Sequence, residues 1–284
     1  MANLKEIRNR ISSVSSTMQI TSAMKMVSAA KLKKAQDAIT AMRPYSDKLT
    51  ELMQNFSGTN ENNKFITNRL PKKILIIAIS SNRGLCGAFN ANVLKEINIV
   101  KAKPEHKTST FEYFTIGKKI NDSLSRTEKV IQNESELFDD LNYDKVSNVA
   151  ESLMTLFVDE KYDKIEIVYN SFKNAATQII KSEQFLPIAN QNEKPTNNSN
   201  YIFEPSQEFI INNLIPKSLK IQLFKAIRDS FASEHGARMT AMHKATDNAS
   251  ELRDELKLTY NKARQASITN EILEIVGGAE ALNN

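Results

Sequence analysis

The stretch MHKATDNASELRDELKLTYNKARQA, residues 242–266, decides the fold. Small and apolar residues recur in it at alternating spacings of three and four: Met242, Ala245, Ala249, Leu252, Leu256, Thr259, Ala263 and Ala266. This heptad spacing predicts a helix that packs lengthwise along a second helix. Because so many of these residues are small, we expect the two backbones to approach closely.

The second helix is predicted at the other end of the chain. Residues 1–43 contain neither Gly nor Pro, and their apolar positions alternate in the same way: Leu4, Ile7, Ile11, Val14, Met18 and Thr21. Residues 217–276 contain no Pro and one Gly, Gly236. At 1.5 Å per residue these helices would span about 80–90 Å, whereas a compact globule of this length is about 50 Å across. We therefore predict an antiparallel two-helix coiled coil that projects from a domain formed by the middle of the chain. The alternative is a bundle of broken helices, with breaks at Pro44 and Gly236.

The middle of the chain has a different pattern. Short apolar runs predict strands at 74–79, 111–116 and 164–169, with helices at 87–100, 117–125 and 144–158 between and after them. Strands alternating with helices are typical of an α/β, Rossmann-like domain with a largely parallel sheet. Residues 178–188 would add an antiparallel strand. The predicted domains are a coiled-coil helix at 1–56, the α/β domain at 57–212 and a coiled-coil helix at 213–284. We also expect a kink at Pro216 that offsets a short helix at about 206–213.

Composition indicates a soluble protein. Of 284 residues, 40% are apolar and 25% charged, and no apolar run reaches the roughly 20 residues that span a bilayer. The N-terminal sequence resembles neither a signal peptide nor a transit peptide, so we expect a cytosolic chain. One cysteine, Cys86, excludes an intramolecular disulfide, and three scattered histidines do not fit a zinc pattern.

The positive charge is concentrated at the N-terminal end. Residues 1–56 carry nine Lys/Arg and four Asp/Glu, which accounts for the +5 net charge of the whole chain. Such a segment is either a solvated helix face or a surface for an acidic partner, which could be a protein, a nucleic acid or lipid headgroups.

No motif indicates a catalytic site. The turn after the first strand, SSNRGLCG at 80–87, has neither a dinucleotide-binding glycine pattern nor a phosphate loop. Ser80, Ser81 and Arg83 could bind an anion at the following helix, but the fingerprint for that function is missing. Cys86 has no base beside it in sequence, so an inert thiol is the simpler interpretation.

Three separated stretches resemble one family, the gamma subunit of F-type ATP synthases. They are ISSVSSTMQITSAMKMVSAA at 11–30, SNRGLCGAFN at 81–90 and the C-terminal stretch 233–281, which ends in ITNEILEIVGGAEA. The resemblance implies a rotating central shaft that stands in a ring of three alpha and three beta subunits. Its foot would meet the epsilon subunit and the c ring of the membrane sector. The resemblance also implies that ATP and its catalytic residues belong to alpha and beta, so this chain would have no catalytic site and no cofactor. It would reach the membrane only through the complex, on the cytoplasmic face of a bacterial plasma membrane.

The resemblance also implies contact residues. Those that match beta-subunit contacts of the family are Met24, Lys25, Arg238, Arg264, Gln265, Thr269 and Glu271. Thr269 and Glu271 are expected to lie near Met24 across the coiled coil. Lys25, Lys31, Lys33 and Lys34 would face an acidic lever segment of beta. Residues that resemble the contact with the c ring and epsilon are Tyr201, Phe203 and Glu204. With Cys86 as its only cysteine, the chain lacks the cysteine pair of the redox-controlled plastid relatives.

Two other functions compete with this interpretation. A nucleic-acid adapter would carry base-stacking aromatic residues among its basic residues, but the first 44 residues have none. An enzyme with a nucleotide site in the middle domain would need the phosphate loop that the sequence lacks. We therefore expect no nucleic-acid partner.

Overall fold

The computed structural model describes residues 4–56, 64–67, 69–188, 204 and 206–282. It divides into two compact units. The helical unit is formed by the described parts of 1–27 and 239–284, and the sheet unit by those of 28–238. The division falls inside both long helices, away from the predicted domain boundaries near 56 and 212.

Two long helices carry the ends of the chain. Helix α1 runs over Leu4–Phe56 and helix α5 over Gln207–Leu282. Both continue through their prolines, Pro44 and Pro216, and α5 continues through Gly236. A single proline removes one backbone donor and leaves the rest of the hydrogen-bond ladder in place. The bundle of broken helices is therefore wrong, and the short helix expected at 206–213 is the first part of α5.

The sheet unit contains a five-stranded sheet in the order β3-β2-β1-β4-β5. Strands β1 to β4 are parallel, and β5 pairs with β4 in the antiparallel direction. Its strands are β1 Lys73–Ile79, β2 Thr110–Ile116, β3 Val130–Asn133, β4 Lys164–Phe172 and β5 Gln178–Leu186. The helices between them are α2 Phe89–Lys101, α3 Lys118–Leu124 and α4 Tyr143–Val158. The predicted α/β domain is confirmed, including its antiparallel last strand, while β3 is an addition.

Strand β1 explains the layering of this unit. Six successive residues of β1, from Ile74 to Ile79, are fully buried, as expected of a strand covered on both faces. Leu75, Ile77 and Ile79 point into a core completed by α4 and by residues 215–227 of α5. The alternate residues Ile74, Ile76 and Ala78 point into a second core with α2 and α3.

Gly117 joins β2 to α3 at a point where only glycine fits. Its φ of 110° lies in the left-handed region, and an added Cβ would lie 2.4 Å from the carbonyl oxygen of Ser80. Ser80 in turn donates its backbone N–H to Ile116 and accepts the N–H of Ile120 on its hydroxyl. The carboxyl ends of β1 and β2 are therefore held together through this close approach.

Candidate functional site

The helical unit pairs α1 with α5 along the predicted α1 seam. Ile7 and Thr21 are buried, and Leu4, Ile11, Val14 and Met18 are partly buried, whereas most of the residues between them are exposed. The heptad prediction for this helix is confirmed. Thr21 also donates to the carbonyl of Met18, so a polar residue is accommodated in the seam without an unpaired hydroxyl.

On α5 five of the eight predicted seam residues are covered, one of which is Ala245. The other four are Met242, Ala249, Leu256 and Ala263, whereas Leu252 is 41% exposed and Thr259 and Ala266 are exposed. Four polar residues of α5 are covered as well, each of them four residues after one of these four: Thr246, Arg253, Tyr260 and Ser267. The sequence pattern was misleading because long amphipathic side chains can cover an apolar seam while their polar ends reach water.

Three of these polar seam residues contact α1 directly. The hydroxyls of Thr21 and Thr246 lie 2.8 Å apart. Further along α5, Arg253 reaches Met18 Sδ at 3.6 Å, and the hydroxyl of Tyr260 accepts from Arg8 Nη2 at 2.8 Å. As α5 advances, its partners move back along α1, so the pairing is antiparallel.

This register corrects one prediction about the contact residues. Met24 lies one turn beyond Thr21, whose partner is Thr246, so Met24 faces residues of α5 that precede Thr246. Thr269 lies 23 residues after Thr246, which is about 35 Å along a helix. Thr269 and Glu271 therefore do not lie near Met24, and the expectation that they meet across the coiled coil is wrong.

Over residues 268–279, beyond the paired region, α5 has no covered face. Every residue of 268–279 is exposed in the structure. The stretch is nevertheless rich in large apolar side chains, whose exposed fractions are Ile268 48%, Ile272 54%, Leu273 63%, Ile275 71% and Val276 55%. A helix that is apolar on several faces is normally enclosed by other protein, and a contiguous exposed apolar surface marks an interaction site.

The other predicted contact residues of the helical unit are accessible. Met24 and Lys25 are partly exposed, and Arg264, Gln265, Thr269 and Glu271 are exposed. Thr269 donates its hydroxyl to the backbone carbonyl of Gln265 within the helix. Of the foot residues, Glu204 is exposed, while Tyr201 and Phe203 lie outside the described residues.

In the sheet unit, the turn at 81–87 is tied together internally. Ser81 Oγ donates to the carbonyl of Arg83 at 2.7 Å and accepts from Asn90 Nδ2 at 2.9 Å. Asn90 Nδ2 also lies 3.4 Å from the sulfur of Cys86, which is buried. The hydroxyls of Ser80 and Ser81 thus bond within the chain, whereas the Arg83 side chain is exposed. Burial raises the pKa of the Cys86 thiol, which agrees with an inert cysteine.

Arg238 occupies a buried position in the same unit, where it is 7% exposed. Its Nη2 donates to the carbonyl of Arg83 at 2.9 Å and to that of Gly84 at 3.3 Å. Its Nη1 lies 2.7 Å from the carboxylate of Glu234, one turn earlier on α5. The sequence did not indicate that this arginine would bind the turn, because the contact joins residues more than 150 positions apart.

His235 is a buried histidine held in its neutral form. Burial, Arg238 and Lys31 lower its pKa to about 4, and its ring packs edge-on against Phe231. Nδ1 accepts from Arg238 Nη1 at 3.4 Å. Protonation of His235 would place a positively charged imidazolium beside the guanidinium of Arg238, and the two cations would repel each other.

This arrangement predicts a pH-dependent stability. Because the pKa of His235 is lower in the folded state than its usual 6.5, unfolding takes up a proton, and stability is lost as pH falls from about 6.5 towards 4. Between pH 7.5 and pH 4, wild type should lose about 2–3 kcal/mol more than His235→Gln, measured by urea unfolding. Asp229 and Glu234, whose pKa values burial raises, act in the opposite direction in both proteins. If both proteins lost the same free energy of unfolding, His235 would not be held in its neutral form in the folded chain.

Within the part of the chain that the structure describes, no group of three or more His, Cys, Asp or Glu side chains is arranged to hold a metal ion. Among the described helices, none has a stretch that is both long and apolar enough to cross a membrane.

Comparison with known proteins agrees with these features. A family model described as ATP synthase matches residues 3–282. The ATP synthase gamma chain of Flavobacterium psychrophilum is 67% identical over 287 residues, covering 99% of both chains. That of Geotalea uraniireducens is 42% identical, again over 99% of both chains.

Solved structures share the fold. A chain of the Euglena gracilis mitochondrial ATP synthase superposes with a TM-score of 0.74 at 20% identity, over 98% of this chain and 94% of the other. A chain of the Tetrahymena thermophila central stalk and c ring gives 0.59 at 25% identity, over 80% and 99%. The family match along nearly the whole chain and these full-length relatives show that the chain belongs to the ATP synthase gamma chain family.

Proposed function

We propose that this chain is the rotating central shaft of a bacterial ATP synthase. It couples rotation of the c ring to ATP synthesis and hydrolysis on the beta subunits, and it carries no catalytic site of its own. The observation that supports this best is the end of α5, where apolar residues at 268–276 are exposed on several faces of the helix. Such a helix fits inside a surrounding sleeve of protein, as a ring of three alpha and three beta subunits would provide.

The proposal includes the location of the protein and its other partners. A chain of this kind sits on the cytoplasmic face of the plasma membrane and reaches the membrane through its complex, where its foot meets the epsilon subunit and the c ring. The exposed Glu204 is the described residue that we assign to the foot contact.

The contact surface for beta is proposed to consist of two separate regions of the helical unit. One is the partly exposed pair Met24 and Lys25 on α1, and the other contains Arg264, Gln265, Thr269 and Glu271 on α5. The register separates them by tens of ångströms along the helices. Each region would therefore meet a different part of beta, with the cationic α1 surface towards an acidic segment. Arg238, whose guanidinium bonds within the chain, is treated separately below.

Met24→Lys tests the α1 contact. The new ammonium group would form an ion pair with the acidic segment of beta, worth roughly 0.5–1 kcal/mol. This ion pair would form only at the rotation angles where the two groups meet, so it would favour those angles of the shaft. In the assembled enzyme we expect about a twofold to fivefold drop in ions pumped per ATP hydrolysed, with hydrolysis itself less affected. Proton pumping and ATP hydrolysis, measured together on membrane vesicles, give this ratio.

Met26→Lys is the matched control, since Met26 is 65% exposed on the same helix and points elsewhere. Its ratio should stay at the wild-type value. An equal drop in both variants would indicate a general effect of charge and remove the support for a contact at Met24. A Met24→Lys chain that does not fold would assign Met24 to the core.

A further inference from the structure

The turn at 81–87 has two residues in the left-handed region of backbone conformation, Leu85 and Gly87. Leu85 adopts a φ of 62° although it is not glycine, and Gly87 adopts the same value. A left-handed non-glycine residue persists where its surroundings hold it in place. Leu85 is nevertheless 64% exposed, and Arg83 is exposed as well. The turn therefore exposes the apolar side chain of Leu85 and the cationic side chain of Arg83, and its backbone is strained at Leu85.

The inner side of the turn faces Arg238. The carbonyl of Gly84 accepts from two atoms of this guanidinium, Nε at 3.4 Å and Nη2 at 3.3 Å, and the carbonyl of Arg83 accepts from Nη2. Hydrogen bonds from a charged donor contribute more than neutral ones, so these partly buried bonds stabilise the turn against opening.

The guanidinium is itself fixed on α5. Glu234 pairs with Nη1, and the side chains of both residues are 9% exposed. The same nitrogen, Nη1, also lies 3.4 Å from His235 Nδ1. All three nitrogens of Arg238 are thus engaged within the sheet unit, and little of the side chain is left for a partner protein.

We propose that Arg238 is a positioning residue, which braces the 81–87 turn against α5 so that Arg83 and Leu85 keep a fixed outward orientation. This role lies within the chain and differs from the direct partner contact that the family resemblance implies for Arg238. The two roles make opposite predictions for the free chain. A brace acts before any partner binds, whereas a partner contact has no effect until the complex forms.

Cys86 provides the measurement, because it is the only cysteine and lies in the turn. Its side chain is 2% exposed, so alkylation requires the turn to open. In the free wild-type chain at pH 8, modification by iodoacetamide should be slow. In Arg238→Ala it should be about tenfold to 100-fold faster, since three hydrogen bonds from a charged donor are lost.

Two further variants make the test specific. Arg238→Lys keeps the charge beside Glu234 but not the forked donor geometry, so its rate should be intermediate, and it decides the case if Arg238→Ala does not fold. Arg228→Ala is the matched control, because Arg228 lies on the same helix and donates to the carbonyl of Leu141, away from the turn. Its rate should equal that of wild type.

The proposal is overturned by wild-type alkylation rates in the folded Arg238 variants, which would leave partner contact as the role of Arg238. Equal acceleration in Arg228→Ala would also overturn it, since the effect would then be a general loosening of α5. Neither outcome depends on the proposed shaft function, because the assay uses the free chain.

Discussion

Replacing Ile268, Ile272 and Ile275 together with serine is expected to make the assembled complex dissociate about 100-fold faster. These residues lie on one face of α5, and each is about half exposed or more in the free chain. If a protein sleeve covers that surface, each isoleucine contributes about 1 kcal/mol to binding, and three contribute about 3 kcal/mol. The rate is measured by diluting a complex that carries a fluorescent label on the variant subunit and following its release.

The free variant should remain folded, because exposed substitutions change stability by less than about 0.5 kcal/mol. Three exposed asparagines of the same helix, Asn248, Asn261 and Asn270, provide the control when they are replaced together with serine. This control leaves charge unchanged and should dissociate close to the wild-type rate. Wild-type dissociation of the isoleucine variant would contradict the proposal that the end of α5 is enclosed.

Gly117→Ala is expected to destabilise the free chain by about 2–5 kcal/mol. The methyl group would lie 2.4 Å from the carbonyl oxygen of Ser80, a backbone atom that cannot move aside like a flexible side chain. The φ of 110° adds strain for any residue with a Cβ. Urea unfolding, followed by circular dichroism, gives the change in the free energy of unfolding.

Gly87→Ala separates the two causes. Gly87 also has a positive φ, of 62°, but a Cβ there would meet nothing within 4 Å. We expect a loss of about 1 kcal/mol from backbone strain alone. If both alanine variants lost the same free energy, the close approach to Ser80 would have no energetic role.

Much of the fold could be predicted because its signals are local. The run at 74–79 is apolar throughout, and the strand it forms is buried on both faces. Strand β3, Val130–Asn133, was missed because it has four residues at the sheet edge and two of them are polar and exposed. An edge strand of this kind is specified by its pairing with β2 more than by its own pattern.

The candidate site was less predictable, because it depends on contacts between distant residues. Tyr260 and Arg253 line the α5 seam, although an apolar pattern favours Thr259 and Leu252. The side chain of an arginine or tyrosine can serve either a seam or a surface, and the partner helix decides which. The bonds of Arg238 to the 81–87 turn likewise arise only once α5 packs on the sheet. The family resemblance implied which residues are functional but not this geometry.

The central claim is that this chain turns as a single shaft inside a ring of alpha and beta subunits. The most direct measurement mixes the chain with alpha and beta subunits from the same source, with the ring fixed to a surface and a bead attached to the foot of this chain. We predict one copy for three alpha–beta pairs, faster steady ATP hydrolysis, and stepwise bead rotation in one direction. A chain that stays apart from the ring, or a complex that hydrolyses ATP at full rate while the bead only fluctuates, would contradict this function.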